Sequence, residues 1–114
     1  YCTQVHAMEG GLHIAFGDIG VGFQASLAGN PGLPAFPTQA HALRAAVVDA
    51  ASGLAHLNPD RGGGLQRALN AVAHLGGQYR IRSYDGGARL RDGTPAFGLT
   101  AHGFPGTLTG ISLP

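Results

Sequence analysis

The sequence predicts an α+β fold: a two-layer sandwich in which a mixed sheet carries helices on one face. Three observations predict it. Both ends of the chain alternate apolar and polar residues as strands do, the middle holds two segments of helical period, and glycine and proline clusters separate the pieces. In chain order the elements read ββ-α-α-βββ, with no internal repeat.

Residues 1–8 alternate as a strand, and Glu9-Gly10-Gly11 supplies a turn. Leu12, Ile14 and Phe16 then share one face of a second strand, opposite His13 and Ala15, which completes a β-hairpin. Gly17 to Gly22 ends that strand, and Phe23 to Leu27 has room only for a short helical turn. Three prolines between Asn30 and Pro37 mark a loop. Thr38 is placed to N-cap a helix running to about Gly53, with Leu43, Ala46, Val47 and Ala50 as its apolar stripe and Arg44 and Asp49 off it. A second helix is expected from about Leu65 to Leu75, burying Leu65, Leu69, Val72 and Leu75, and Gly76-Gly77 stops it. Gln78–Ser83, Ala88–Arg91 and Thr107–Leu113 are the three closing strands, separated by turns at Asp85-Gly86-Gly87 and Asp92-Gly93. Phe36, Phe97 and Phe104, each near a proline, are expected to pin loops.

A chain of 114 residues is one domain, 1–114, with a feasible core. Its content of Leu, Ile, Val and Phe lies above the level at which disorder is the default. The net charge of +1 offers no long-range field for nucleic acid or an anionic membrane. The single cysteine, Cys2, excludes an internal disulfide framework and suits a reducing, cytoplasmic setting. No apolar run approaches the ~20 residues of a membrane span. Glycine stands out at 20 residues, more than twice the usual share of roughly 7%. Much of it is clustered, as where backbone turns or must approach something closely.

Two of these clusters could carry chemistry. Asp18-Ile19-Gly20-Val21-Gly22 follows the strand Leu12–Phe16 directly. A carboxylate at a strand end, acceptor-only when ionised, suits an exocyclic amine such as that of adenine, and glycines at alternate positions let backbone close on a flat ring. By itself the pentapeptide also reads as a turn whose Asp caps the helical turn that follows. Asp60-Arg61-Gly62-Gly63-Gly64-Leu65 enters the second helix, where unpaired N–H groups and the positive dipole end suit a phosphate and Arg61 adds charge-assisted bonds. In isolation it equally suits a flexible loop.

Taken together, the two clusters make the chain resemble the histidine-kinase-like ATPase (GHKL) superfamily, which groups DNA gyrase, a heat-shock chaperone, histidine kinases and a mismatch-repair protein. Asp18-Ile19-Gly20-Val21-Gly22 looks like its first glycine box, Asp-x-Gly-x-Gly, and Arg61-Gly62-Gly63-Gly64-Leu65 like its second. The helix after that box, Gly76-Gly77, the strand Gln78–Ser83 and the closing Pro105-Gly106-Thr107 strand ending in Leu113-Pro114 follow in the family's order, so the resemblance spans essentially the whole chain. It implies the Bergerat-type ATP-binding fold and ATP or ADP as cofactor. Asp18 would accept from the adenine amine, Gly20 and Gly22 would shape the adenine pocket, and Thr107 would assist Asp18 through a water. Gly62 and Gly64, with Arg61, would hold the phosphates, and residues 23–60 would form the ATP lid.

The sequence departs from that pattern twice. Asp60 replaces the first glycine of the second box, placing an acid near the phosphates. The family's first motif, a helix whose Asn holds Mg²⁺ and which carries a Glu base in hydrolysing members, has no counterpart; the only Glu, Glu9, lies in the hairpin turn. The expectation is therefore an N-terminally truncated ATP-binding module from a cytoplasmic, bacterial-type signalling protein. It would bind nucleotide without hydrolysing it, taking Mg²⁺ and acting as an ATPase or kinase on a protein partner only when the missing helix is supplied. The alternative is a non-catalytic interaction domain that keeps the fold, binds a protein partner and dimerises through its N-terminal edge strand.

Other signals are weaker. Gly20-Val21-Gly22-Phe23-Gln24-Ala25 satisfies the dinucleotide fingerprint, but a proline-rich loop follows where a long helix is needed. The six histidines show neither the i, i+4 helical pair nor a Cys-x-x-Cys partner, and His6 and His13, even if they face each other across the hairpin, are two ligands only. Ser26, Ser52, Ser83 and Ser112 lack a Gly-x-Ser-x-Gly frame.

Overall fold

The computed structural model describes residues 2–8, 11–49, 64–91 and 93–114, and in strand β1 the backbone alone. Strand β1 (Cys2–Met8) pairs antiparallel with β2 (Gly11–Asp18), from Met8 opposite Gly11 to Cys2 opposite Gly17. Helices α1 (Gly22–Ala28), α2 (Gln39–Val48) and α3 (Gly64–His74) follow, then β3 (Gln78–Arg91) and β4 (Thr94–Leu113). The sheet order is β1-β2-β4-β3.

The α+β class holds, but the expected mixed sheet is instead antiparallel at all three described pairings. The connection explains it. β2 and β3, joined through the helices, run in the same direction, but β4 turns back from β3 and inserts between them, so no parallel ladder forms.

The three closing strands are in fact two. Gly86 and Gly87 do not reverse the chain; they are ladder-paired in β3, opposite Leu99 and Gly98. They lie just past two register shifts, between Ser83 and Tyr84 and between Tyr84 and Gly86, at which the extra residues bulge from β4. Gly86 is required by contact: a Cβ there would lie 2.6 Å from Gln39 Cβ and 2.9 Å from the Ala40 nitrogen at the start of α2. The reversal comes at Gly93 (φ 78°), with Arg91 opposite Thr94; Asp92 lies outside the described residues. Phe97 and Phe104 consequently belong to β4 and not to loops. Pro105 and Gly106 form an irregularity of β4, unpaired between Phe104 and Thr107, where a missing ladder donor costs nothing.

Local signals set the helix ends. Thr38, extended at φ −142°, accepts from the His41 N–H at 3.2 Å and caps α2 as expected. The helix ends at Val48, short of Gly53; the Gln66 side-chain amide of α3 donates to the Val48 carbonyl, one of the acceptors a helix end leaves open. Residues 50–53 lie outside the described residues. At the end of α3, Gly76 turns left-handed (φ 77°), Gly77 N–H donates to the Val72 carbonyl at 2.8 Å and Gly76 N–H to that of Ala73 at 3.1 Å. This is the paired arrangement that closes a helix on glycine. Leu75, expected in the buried stripe, is 61% exposed. At about 100° per residue it lies roughly 80° round the axis from Leu65.

The core lies between helices and sheet. Leu43 and Val47 of α2 and Leu69 and Val72 of α3 meet Tyr79, Ile81, Ala88 and Leu90 of β3. A second cluster places Leu27 of α1 against Ala42 and Ala45, and Phe23 packs on both. α2 thus buries two faces, a wider apolar surface than its sequence stripe. No helix among the described residues is long and apolar enough to cross a membrane.

Candidate functional site

Asp18 is the last residue of β2 and the ladder partner of Thr107 in β4. Their approach depends on Gly106: at φ 141°, a Cβ there would stand 2.0 Å from the Asp18 carbonyl oxygen, so only glycine fits. Beyond Asp18 the chain turns sharply, with Asp18 Oδ1 accepting from the Gly20 N–H at 3.0 Å. The pentapeptide permits this turn on its own, but Asp18 does not cap the helix that follows: the N-cap of α1 is Val21, with no side-chain cap bond. Ile19 and Val21 point outward, 87% and 64% exposed.

The turn is held from β3. Tyr84, in the left-handed region at φ 52°, donates its hydroxyl to the Gly20 carbonyl at 2.7 Å. Its ring lies over Gly22, whose added Cβ would come within 2.7 Å of it. Gly22 is itself left-handed at φ 80°. Its missing side chain therefore makes room for Tyr84 and for the bend into α1. Beside it the fully buried Ser83 Oγ accepts from Phe23 N–H at 3.4 Å and from Thr107 Oγ1 at 3.3 Å. The bulge of β4 between Phe104 and Thr107, opposite Ser83 and Tyr84, accompanies the presentation of these two residues to this turn.

Around these residues lies an open cleft of about 220 Å³, with Asp18, Gly20, Gly22, Ser26 and Thr107 in its wall. The fold thus brings together Asp18, Gly20, Gly22 and Thr107. One Asp18 oxygen is committed to Gly20; the second has no hydrogen bond among the described residues, so it can accept from a ligand. Val21 and Phe23 add apolar wall, suited to a flat ring.

Of the second glycine cluster, Asp60, Arg61, Gly62 and Gly63 lie outside the described residues, and Gly64 opens α3. Within the segment expected as a lid, α2 supplies Leu43 and Val47 to the core, which anchors it; residues 50–60 lie outside the described residues. His6 and His13 are ladder partners, and His13 Nδ1 shares a 2.8 Å hydrogen bond with Ser112 Oγ. No group of three His, Cys, Asp or Glu residues able to hold a metal occurs among the described residues.

Ser83, Tyr84 and Gly106 escaped the sequence reading. Tyr84 precedes residues that look like a turn, and Ser83 lacks a nucleophile frame; the one available signal was a glycine pair breaking a strand pattern, which marks a bulge as readily as a reversal. No family model matches the chain, and no curated protein or solved structure matches it.

Proposed function

We propose that the chain is an adenine-nucleotide-binding module that takes ATP or ADP at the end of β2. The observation that carries this reading is Asp18, whose second carboxylate oxygen borders a cleft beside Thr107 and bare glycine backbone. A carboxylate acceptor matches the exocyclic amine of adenine and repels a carbonyl at the same place, so the site prefers adenine to guanine. At about 220 Å³ the cleft is smaller than the roughly 300 Å³ at which whole-ligand pockets begin, so it takes the base and leaves the ribose and phosphates to other groups. Arg61, Gly62 and Gly64 are the proposed phosphate contacts. Mg²⁺ enters only if a longer protein supplies the Asn-bearing helix, and with it an ATPase or protein-kinase activity toward a partner.

Calorimetric titration of ADP, with and without Mg²⁺, tests the proposal. Asp18→Asn turns an acceptor toward a donor and should weaken ADP about tenfold to a hundredfold, the worth of one hydrogen bond to a charged group. GDP should bind less tightly than ADP. Equal affinity of Asp18→Asn and the parent chain, or no binding by either, refutes it.

The alternative, a non-catalytic interaction domain, is favoured by a different observation: β1 stands at the sheet edge with only β2 beside it among the described residues. Edge-to-edge pairing would give a homodimer. A concentration-independent monomer in sedimentation equilibrium excludes that route.

A further inference from the structure

The bulge opposite Tyr84 also marks where the outer half of the β3–β4 ribbon folds back upon the inner half. A Cβ on Gly87 would lie 2.7 Å from Thr100 Cγ2 and 3.7 Å from the Ile81 carbonyl oxygen. Between the halves lies a cavity of about 320 Å³, walled by Arg80 and Arg82 from one and Arg89 from the other, with Thr100 between. The strand period explains the clustering. Tyr79, Ile81, Ala88 and Leu90 enter the core, so the arginines alternating with them face the opposite side. A second cavity, of about 510 Å³, shares Arg80 and Arg89 and continues across Gly110 to His13 and Ser112. A side chain at Gly110 would meet nothing within 4 Å, so no internal contact demands glycine there and the floor is bare backbone.

No carboxylate lines either cavity among the described residues, and none of the three guanidiniums has an ion pair there. Three like charges around one cavity repel, and an anion between them relieves that repulsion with forked hydrogen bonds. The volumes fall in the range of small-molecule sites, roughly 300–1,000 Å³. Each lining holds one aromatic residue, Phe97 or Tyr79, and both pack on the core, so neither cavity offers a run of aromatic platforms for successive bases. We propose that this groove is a second ligand site, separate from the Asp18 cleft, for a small organic phosphate. Its phosphate lies between Arg80, Arg82 and Arg89, and its body runs over Gly110 toward His13 and Ser112.

The test is calorimetric titration of pyrophosphate, as probe, at low salt into the parent chain, Arg80→Gln, Arg89→Gln and Arg67→Gln. Arg67 is exposed on α3 and lines neither cavity, so it controls for net charge. Saturable binding weakened roughly tenfold or more by Arg80→Gln and Arg89→Gln, and by less than about twofold by Arg67→Gln, is expected. Arg80→Lys, which keeps the charge and loses the fork, covers the case in which Arg80→Gln fails to fold, and should also weaken binding. Absence of saturable binding, or equal weakening by all three glutamine variants, overturns the proposal. So does tighter binding of a thymidine oligonucleotide through the same arginines, which would make the groove a strand-binding surface.

Discussion

Replacing Gly22 with alanine should destabilise the protein through two separable causes. The first is conformational: at φ 80° an L side chain meets its own backbone, at a cost of about 1–2 kcal/mol. The second is contact: the new methyl would stand 2.7 and 2.8 Å from two Tyr84 ring carbons and 3.0 Å from Ser83 Oγ. Overpacking of this kind costs about 1–3 kcal/mol. Gly22→Ala should therefore lose roughly 2–5 kcal/mol in urea unfolding followed by circular dichroism. Removing the ring in Gly22→Ala/Tyr84→Ala should recover the larger share of the contact part, leaving the Ser83 approach and the conformational part. The two substitutions should thus couple by about 1–3 kcal/mol in a double-mutant cycle. Additivity within roughly 0.5 kcal/mol would show that Tyr84 does not rest on this turn, and would refute the account of how the Asp18 turn is held.

Three further outcomes are expected. Leu43→Ala empties a fully buried position between α2 and the sheet and should cost about 2–5 kcal/mol by urea denaturation. Thr38→Ala removes the oxygen that accepts the His41 N–H and should cost about 1 kcal/mol in the same assay. Burial raises the Tyr79 pKa above its ordinary 10.0, so the folded state keeps its proton longer than the unfolded chain. That contribution is complete below pH 10.0 and is lost as pH rises from there through the raised value. Tyr79→Phe should flatten the alkaline fall of the urea midpoint, and an unchanged profile would contradict this assignment.

The Asp18 cleft was half legible in the sequence. A carboxylate followed by two glycines at a strand end is a local pattern, and Asp18, Gly20 and Gly22 do line one cleft. Thr107 came from the family resemblance, and the ladder places it beside Asp18. The groups that hold the turn were not legible, because Ser83 and Tyr84 sit some sixty positions along the chain from the backbone they bind. The arginine groove was hidden for a related reason: its residues lie on both halves of a ribbon whose bend no single segment announces.

By itself the sequence determined the features that depend on neighbours in the chain. These are the alternating face of Leu12, Ile14 and Phe16, the Thr38 cap, the stop at Gly76 and the turn after Asp18, each set by side-chain period, a local hydrogen bond or a permitted φ. Only the tertiary structure decided what the other glycines are for. Gly86 reads as a turn residue and Gly106 as part of the closing strand, yet one admits the start of α2 and the other admits the Asp18 carbonyl. The insertion of β4 between β2 and β3, which makes the sheet antiparallel, was likewise decided at long range. A glycine signals that something must come close; which segment arrives is settled by packing between residues far apart in sequence.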